Sequence, residues 1–335
     1  MAPFELVWDR GIAQVEAVGA MLGPVRFHLS DGRTISPLAV GPWGEDGGPD
    51  HDALPPILKR LRGEWPCVPF GAPDCTPDLP ERWRGVPSKG TGTDFHGYGS
   101  HNAWECVEDG PGRLVLEITY PEDHAIAGLR REIRGVAGKA ELEISLMITA
   151  RTATCLPIAL HPVFALPRRP GEAEIVAEGM TGGHTFPGVV EPGVSRLAPD
   201  LTFESLEAVP THQGPIALSR LPLPVDTEEL VQLFGVAGRV TLCNHAEAYE
   251  AWIAFDQTVF PSVLLWVSNR GRRAYPWNGR FTAVGIEPLR GAFDLGPEIS
   301  SNPANPIARS GIPTALELTE GEVFTTSYQI GAGRI

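Results

Sequence analysis

The chain has 335 residues, 42% hydrophobic and 20% charged, which is enough apolar material for a packed core and argues against global disorder. Acidic residues outnumber basic ones 41 to 27, a net charge of −14, and no run of Lys or Arg makes a basic stripe, so nucleic acid and anionic lipid are poor partners. No window approaches about 18 consecutive apolar residues, and MAPFELVWDR lacks a basic segment followed by a long apolar one. The expectation is a cytoplasmic chain that contacts no membrane.

With 38 glycines and 33 prolines, well above ordinary usage, the chain is punctuated too often for long helices. In chain order, VRFHL followed by the Ser30–Arg33 turn is a hairpin signal, because the Asp-Gly pair supplies the positive φ of a tight turn. ALPPILKRLR, Ala53 to Arg62, predicts two helical turns. The Pro-rich stretch from Cys67 to Asp94 is long enough to be a functional excursion. HGYGSHNAW, His96 to Trp104, reads as neither helix nor regular strand.

Period-2 strands follow. Leu114, Leu116, Ile118 and Tyr120 share one face of RLVLEITY, and Leu142, Ile144, Leu146 and Ile148 share one face of ELEISLMIT. DTEELVQLF carries Asp226 and Glu229 at capping-box spacing and predicts a helix. VTLCN, AYEAWIAF, SVLLWVSN, RFTAVGIEP and VFTTSYQI predict further strands. No fixed repeat and no low-complexity linker divides the chain. The expected fold class is all-β, a large antiparallel sandwich, with residues 1–335 forming a single domain.

The five cysteines, Cys67, Cys75, Cys106, Cys155 and Cys243, form no CxxC pair and read as reduced thiols. Neither HExxH nor HxH occurs, so no metal site is expected; GxSxG, GxGxxG and the phosphate-loop pattern are also missing. His161 lies in LPIALHPVFALP, flanked by apolar residues that would desolvate it and make its charge state tunable. Glu287, in TAVGIEPLRG, is expected at a strand end, where Pro288 stops the ladder and a carboxylate can look into a cleft. Each also has a structural reading, a core histidine bonded to backbone and a solvated strand-end carboxylate.

Three separated segments together resemble the galactose mutarotase-like superfamily, the aldose 1-epimerases and their relatives. HGYGSHNAW is similar to a His-Gly-aromatic-small segment closed by Trp after four intervening residues, LHPVFAL to a His-x-Tyr-Phe strand, and GIEP to the segment carrying the family's glutamate. They occur in the family's order, and the resemblance spans roughly residues 5 to 330. It implies a large antiparallel β supersandwich of galactose mutarotase-like type and an isomerase of carbohydrate metabolism that interconverts α and β anomers of a hexose or related sugar, without a cofactor. Carried over by position, Glu287 is the general base, His161 the general acid toward the ring oxygen, and His96 a second histidine near that oxygen.

The resemblance also offers Arg62 and Asp226 as sugar-binding residues, with His101 at the rim and Trp104, Phe164, Trp266 and Trp277 as platforms for a pyranose face. Leu160 and Val163 stand where galactose mutarotases carry Asn and an aromatic residue, and Ser100 stands where hexose-6-phosphate epimerases carry Arg. Arg270, Arg272 and Arg273 leave a phosphate contact open. The alternatives are a non-catalytic carbohydrate-binding protein of the same fold, a sugar-phosphate epimerase, and a lyase-like or glycoside-processing domain. The partner is a small sugar; a homodimer through a sheet edge stays open.

Overall fold

We describe the chain from a computed structural model covering residues 2–72 and 79–335. Cys75 and part of the Cys67–Asp94 excursion lie outside the described residues. Two long antiparallel sheets dominate. The larger runs Arg220–Leu221, Ala173–Ala177, Arg239–Asn244, Tyr249–Phe255, Val323–Arg334, Glu141–Ala150, Ile126–Gly135, Arg113–Thr119 and Glu105–Gly110 from edge to edge. The other is centred on Thr227–Phe234, Ser262–Asn269 and Thr282–Arg290, with short strands Gly182–Thr185 and Ile158–Leu160 on its flanks. A smaller sheet, Phe4–Trp8, Gly11–Val15, Leu22–His28 and Thr34–Ile35, includes the hairpin built on the Ser30–Arg33 turn. These strands give the expected antiparallel β architecture.

Alternation along the central strands sorts side chains into two cores. Val231, Leu233, Val263, Leu265, Val267, Val284 and Ile286 point between the sheets and join Leu142, Ile144, Leu146 and Ile148. From the opposite face project Leu230, Leu264, Trp266, Ala283 and Leu289, joining Trp43, Trp65, Trp83, Trp277 and Phe293 in a second, aromatic-rich core. A sheet covered on both faces reads as a nearly continuous apolar run, which is why SVLLWVSN has little visible alternation.

That double burial also overturns the helix expected for DTEELVQLF. Thr227–Phe234 is a strand paired along its whole length with Ser262–Asn269. The capping-box groups are engaged elsewhere: Glu229 accepts from the backbone N–H groups of Arg196 and Leu197, at 2.6 and 3.3 Å, and Asp226 pairs with Arg270 and Arg273. Of the two helical turns expected across Ala53–Arg62, one forms, Pro56–Lys59, and another lies before it at Pro49–Asp52. HGYGSHNAW contains a single turn, Tyr98–His101, between irregular segments. No helix among the described residues is long and apolar enough to cross a membrane.

Candidate active site

Glu287 is not at a strand end. Its strand, Thr282–Arg290, runs through Pro288, which pairs with Val263. A proline is tolerated there because the neighbouring chain is interrupted: Ala159 pairs with Leu289 and Val163 with Gly285, and His161–Pro162 spans the gap. The same interruption sets His161, whose N–H donates to the Trp65 carbonyl at 2.9 Å, while the Ile286 N–H donates to the Pro162 carbonyl at 2.9 Å. The family-like histidine and glutamate are therefore brought together by strand pairing between residues more than a hundred positions apart.

Their side chains meet in a dry pocket. His161 Nε2 lies 3.6 Å from Glu287 Oε1, and the residues are 5% and 1% exposed, so neither charge is diluted by bulk water. Trp65 stacks on the His161 ring, with centroids 4.1 Å apart and planes 17° from parallel. Burial drives the His161 imidazole down to about 3. Glu287 is pushed well above the usual carboxylate range, first by burial and second by the negative charge of Asp294. Among the described residues, Glu287 Oε2 is buried with no hydrogen-bond partner, which leaves capacity for a ligand.

His96 forms the adjacent wall. Its ring meets that of His161 edge-on at 5.1 Å and stacks on Phe70 at 4.8 Å. The residue takes a left-handed backbone conformation, φ 60°, fixed by a reciprocal pair of bonds: the His96 N–H donates to the Gly71 carbonyl at 2.8 Å, and the Gly71 N–H donates to His96 Nδ1 at 3.3 Å. Because Nδ1 accepts, a neutral ring carries its proton on Nε2. Burial, then the neighbouring His161, keeps this imidazole well below its ordinary pKa.

The pocket has an interior of about 110 Å³ and opens to solvent at one side. Trp266 and Trp277 wall one side, and Arg272 lies across both rings at 5.4 and 4.8 Å from their centroids. Behind them the buried Glu228 carboxylate accepts from Trp266 Nε1 at 2.7 Å and pairs with Arg272 Nε at 3.2 Å. Asp294 lines the pocket as well; burial lifts its carboxyl to about 6, against the opposing pull of Arg272.

Of the candidates read from sequence, His96, His161, Glu287, Trp266, Trp277 and Arg272 converge on this pocket. Others do not line it. Arg62 is buried against Glu16, with Nη1 to Oε1 at 2.9 Å, and donates from Nε to the Arg60 carbonyl. Trp104 is packed in the inter-sheet core and donates to the Gly99 carbonyl at 2.8 Å; Phe164 is in that core too. Asp226 is tied to two arginines, and His101 bonds the Phe95 carbonyl at 2.8 Å behind the wall that Phe95 makes. Sequence reasoning missed Asp294 and Glu228: the first follows a glycine-containing turn with no motif, and the second sat in a segment read as helix. Among the described residues no group of three His, Cys, Asp or Glu is placed to hold a metal ion.

Neither a family model nor a curated protein matches the sequence; the likeness is structural. A galactose mutarotase-like protein from Lactobacillus casei ATCC 334 superposes with a TM-score of 0.64 at 12% identity, covering 99% of this chain and 100% of that one. The aldose epimerase homologue from C. elegans gives 0.62 at 13% identity, covering 100% and 99%. A protein of Escherichia coli K12, provisionally assigned as an aldose 1-epimerase, gives 0.65 at 16% identity, covering 100% and 99%. The chain therefore has the galactose mutarotase-like fold along its described length.

Proposed function

We propose that this chain, as a single mutarotase-like domain over residues 1–335, is an aldose 1-epimerase that interconverts the anomers of a neutral aldose in the cytoplasm. The observation that carries the reading is the buried contact of His161 Nε2 with Glu287 Oε1 at 3.6 Å in a pocket walled by His96 and two tryptophans. Anomeric exchange needs one group to take the proton of the C1 hydroxyl and another to protonate the ring oxygen. Both oxygens are bonded to the same carbon, so an acid and a base a few ångströms apart can serve them together.

The proton inventory fits. A protonated Glu287 beside a neutral His161 contains the same number of protons as a carboxylate beside an imidazolium, so the pair holds one proton that either partner can carry. Burial of both groups favours the neutral form by desolvation. Sugar hydroxyls that hydrogen-bond the carboxylate favour the ionised form. Glu287 then takes the C1 hydroxyl proton, the C1–O5 bond opens, His161 gives its proton to O5, and His96 Nε2–H is positioned to donate to the same oxygen. Rotation about C1–C2 and the reverse transfers close the ring on the other face.

A neutral sugar is favoured over a sugar phosphate by the pairing of the arginines: Arg270 and Arg273 bind Asp226, and Arg272 is matched to Glu228. The test is polarimetric relaxation of freshly dissolved α-anomers of glucose, galactose and other aldoses with wild-type protein and Glu287→Gln. Acceleration that vanishes in the variant supports the assignment. A wild-type protein that accelerates none of them sinks it and favours a sugar-binding role.

A further inference from the structure

Resting on that reading, we propose that Asp294 is a second substrate-contacting carboxylate, a specificity-determining residue that accepts hydrogen bonds from hydroxyl groups of the bound sugar. The backbone is organised to deliver it. Asp294 lines the pocket together with Glu287, His161 and Arg272. It follows Phe293, a non-glycine residue in the left-handed region at φ 47°. Such a conformation persists only where the surroundings enforce it.

Those surroundings are specific. Gln232, fully buried on Thr227–Phe234, accepts from the Phe293 N–H at 2.8 Å and donates to the Gly291 carbonyl at 2.9 Å and to Ser262 Oγ at 2.8 Å. Ser300 Oγ accepts from the Ala292 N–H at 3.0 Å. On the other side the Ala72 N–H donates to the Asp294 carbonyl at 2.8 Å. Gly71 is left-handed at φ 94°, and a Cβ there would stand 2.7 Å from that carbonyl oxygen and 2.5 Å from the Gly296 nitrogen. Gly71 is also the residue that exchanges two hydrogen bonds with His96. One short segment thus fixes the catalytic-side histidine and the Asp294 turn against each other, and a buried amide braces the turn from behind.

The chemistry suits a reader of hydroxyl groups. Burial lifts the Asp294 carboxyl only to about 6, so it is mainly ionised at neutral pH, whereas burial and the Asp294 charge push Glu287 well above the usual carboxylate range. Two carboxyls in one pocket are therefore shifted to different extents and suit different tasks. An ionised carboxylate shielded from water forms strong charge-assisted hydrogen bonds with hydroxyl groups, so a sugar that lacks the matching hydroxyl binds it less tightly.

The experiment measures KM and kcat by polarimetry, and Kd by pocket-tryptophan fluorescence, for D-glucose, D-galactose, D-mannose and their monodeoxy analogues. Wild type, Asp294→Asn and Asp294→Ala are compared at pH 7.5 and 5. The turn is anchored through backbone atoms, so the isosteric Asn should leave it in place. Expected is a rise in KM and Kd of roughly 10- to 100-fold with kcat changed far less. One deoxy analogue should bind wild type and variants equally, and the wild-type advantage should shrink at pH 5. Active wild type with unchanged KM in both variants across all sugars overturns this inference and leaves the epimerase reading standing. Wild type silent toward every sugar overturns both.

Discussion

Gly285 and Glu287 share one face of the strand Thr282–Arg290, and the missing side chain of the first makes room for the carboxylate of the second. A Cβ at Gly285 would lie 2.3 Å from Glu287 Oε1 and 3.2 Å from the Trp266 Cβ. The closer atom is the end of a flexible side chain, so Gly285→Ala should fold while pushing the carboxylate off His161. We expect a loss in kcat/KM of about 100-fold, the scale set by a displacement of about 1 Å, with a melting temperature within a few degrees of wild type. Parallel kinetics and calorimetry check both halves.

Glu287→Gln should separate activity from stability. Removal of a general base costs about 10²- to 10⁴-fold in rate. Because burial raises the Glu287 carboxyl, the folded chain binds its proton more tightly than the unfolded chain, and stability falls as pH climbs from the ordinary carboxylate value of 4.5 toward the raised one. Glutamine has no proton to lose. The variant should therefore gain on wild type as pH rises, read as a melting-temperature difference larger at pH 8 than at pH 5.

His161 works in the opposite direction on the acid side. Its imidazole titrates at about 3 when folded against 6.5 in its ordinary state, so the unfolded chain takes up a proton first and stability is lost as pH falls from 6.5 toward 3. His161→Gln should remove up to about 1.4 kcal/mol per pH unit of that slope. Urea unfolding at pH 4, 5 and 7 measures it; an unchanged slope would show that the ring is not buried neutral.

Arg62 is expected to matter for stability and not for sugar. It is 5% exposed and bonded to the buried Glu16, outside the pocket lining. Arg62→Ala leaves that carboxylate with Arg60 alone, 3.3 Å away, so it should cost less than the about 3–5 kcal/mol of a buried pair broken outright. KM for any accelerated sugar should stay within about twofold at a temperature where the variant is folded. A selective rise in KM with normal stability would return Arg62 to the site.

The amino-acid sequence by itself determined the antiparallel architecture, because strand period, turn glycines and apolar runs are local properties that survive in any context. It also pointed to His96, His161 and Glu287, through local features and the resemblance they carry: a Gly-rich segment opened by His96, apolar flanks around His161, and a glutamate followed by Pro288 at the end of an apolar run. Tertiary structure decided what surrounds them. Asp226 looked like a helix cap and a sugar ligand, yet its carboxylate is claimed by arginines 44 and 47 residues away, and Arg62 by Glu16. Asp294 entered the pocket, and Glu228 came to sit behind its tryptophan wall, for the same reason in reverse. Which charge meets which partner depends on distances across sheets and loops, and side-chain electrostatics in a dry pocket acts over those distances and not along the chain.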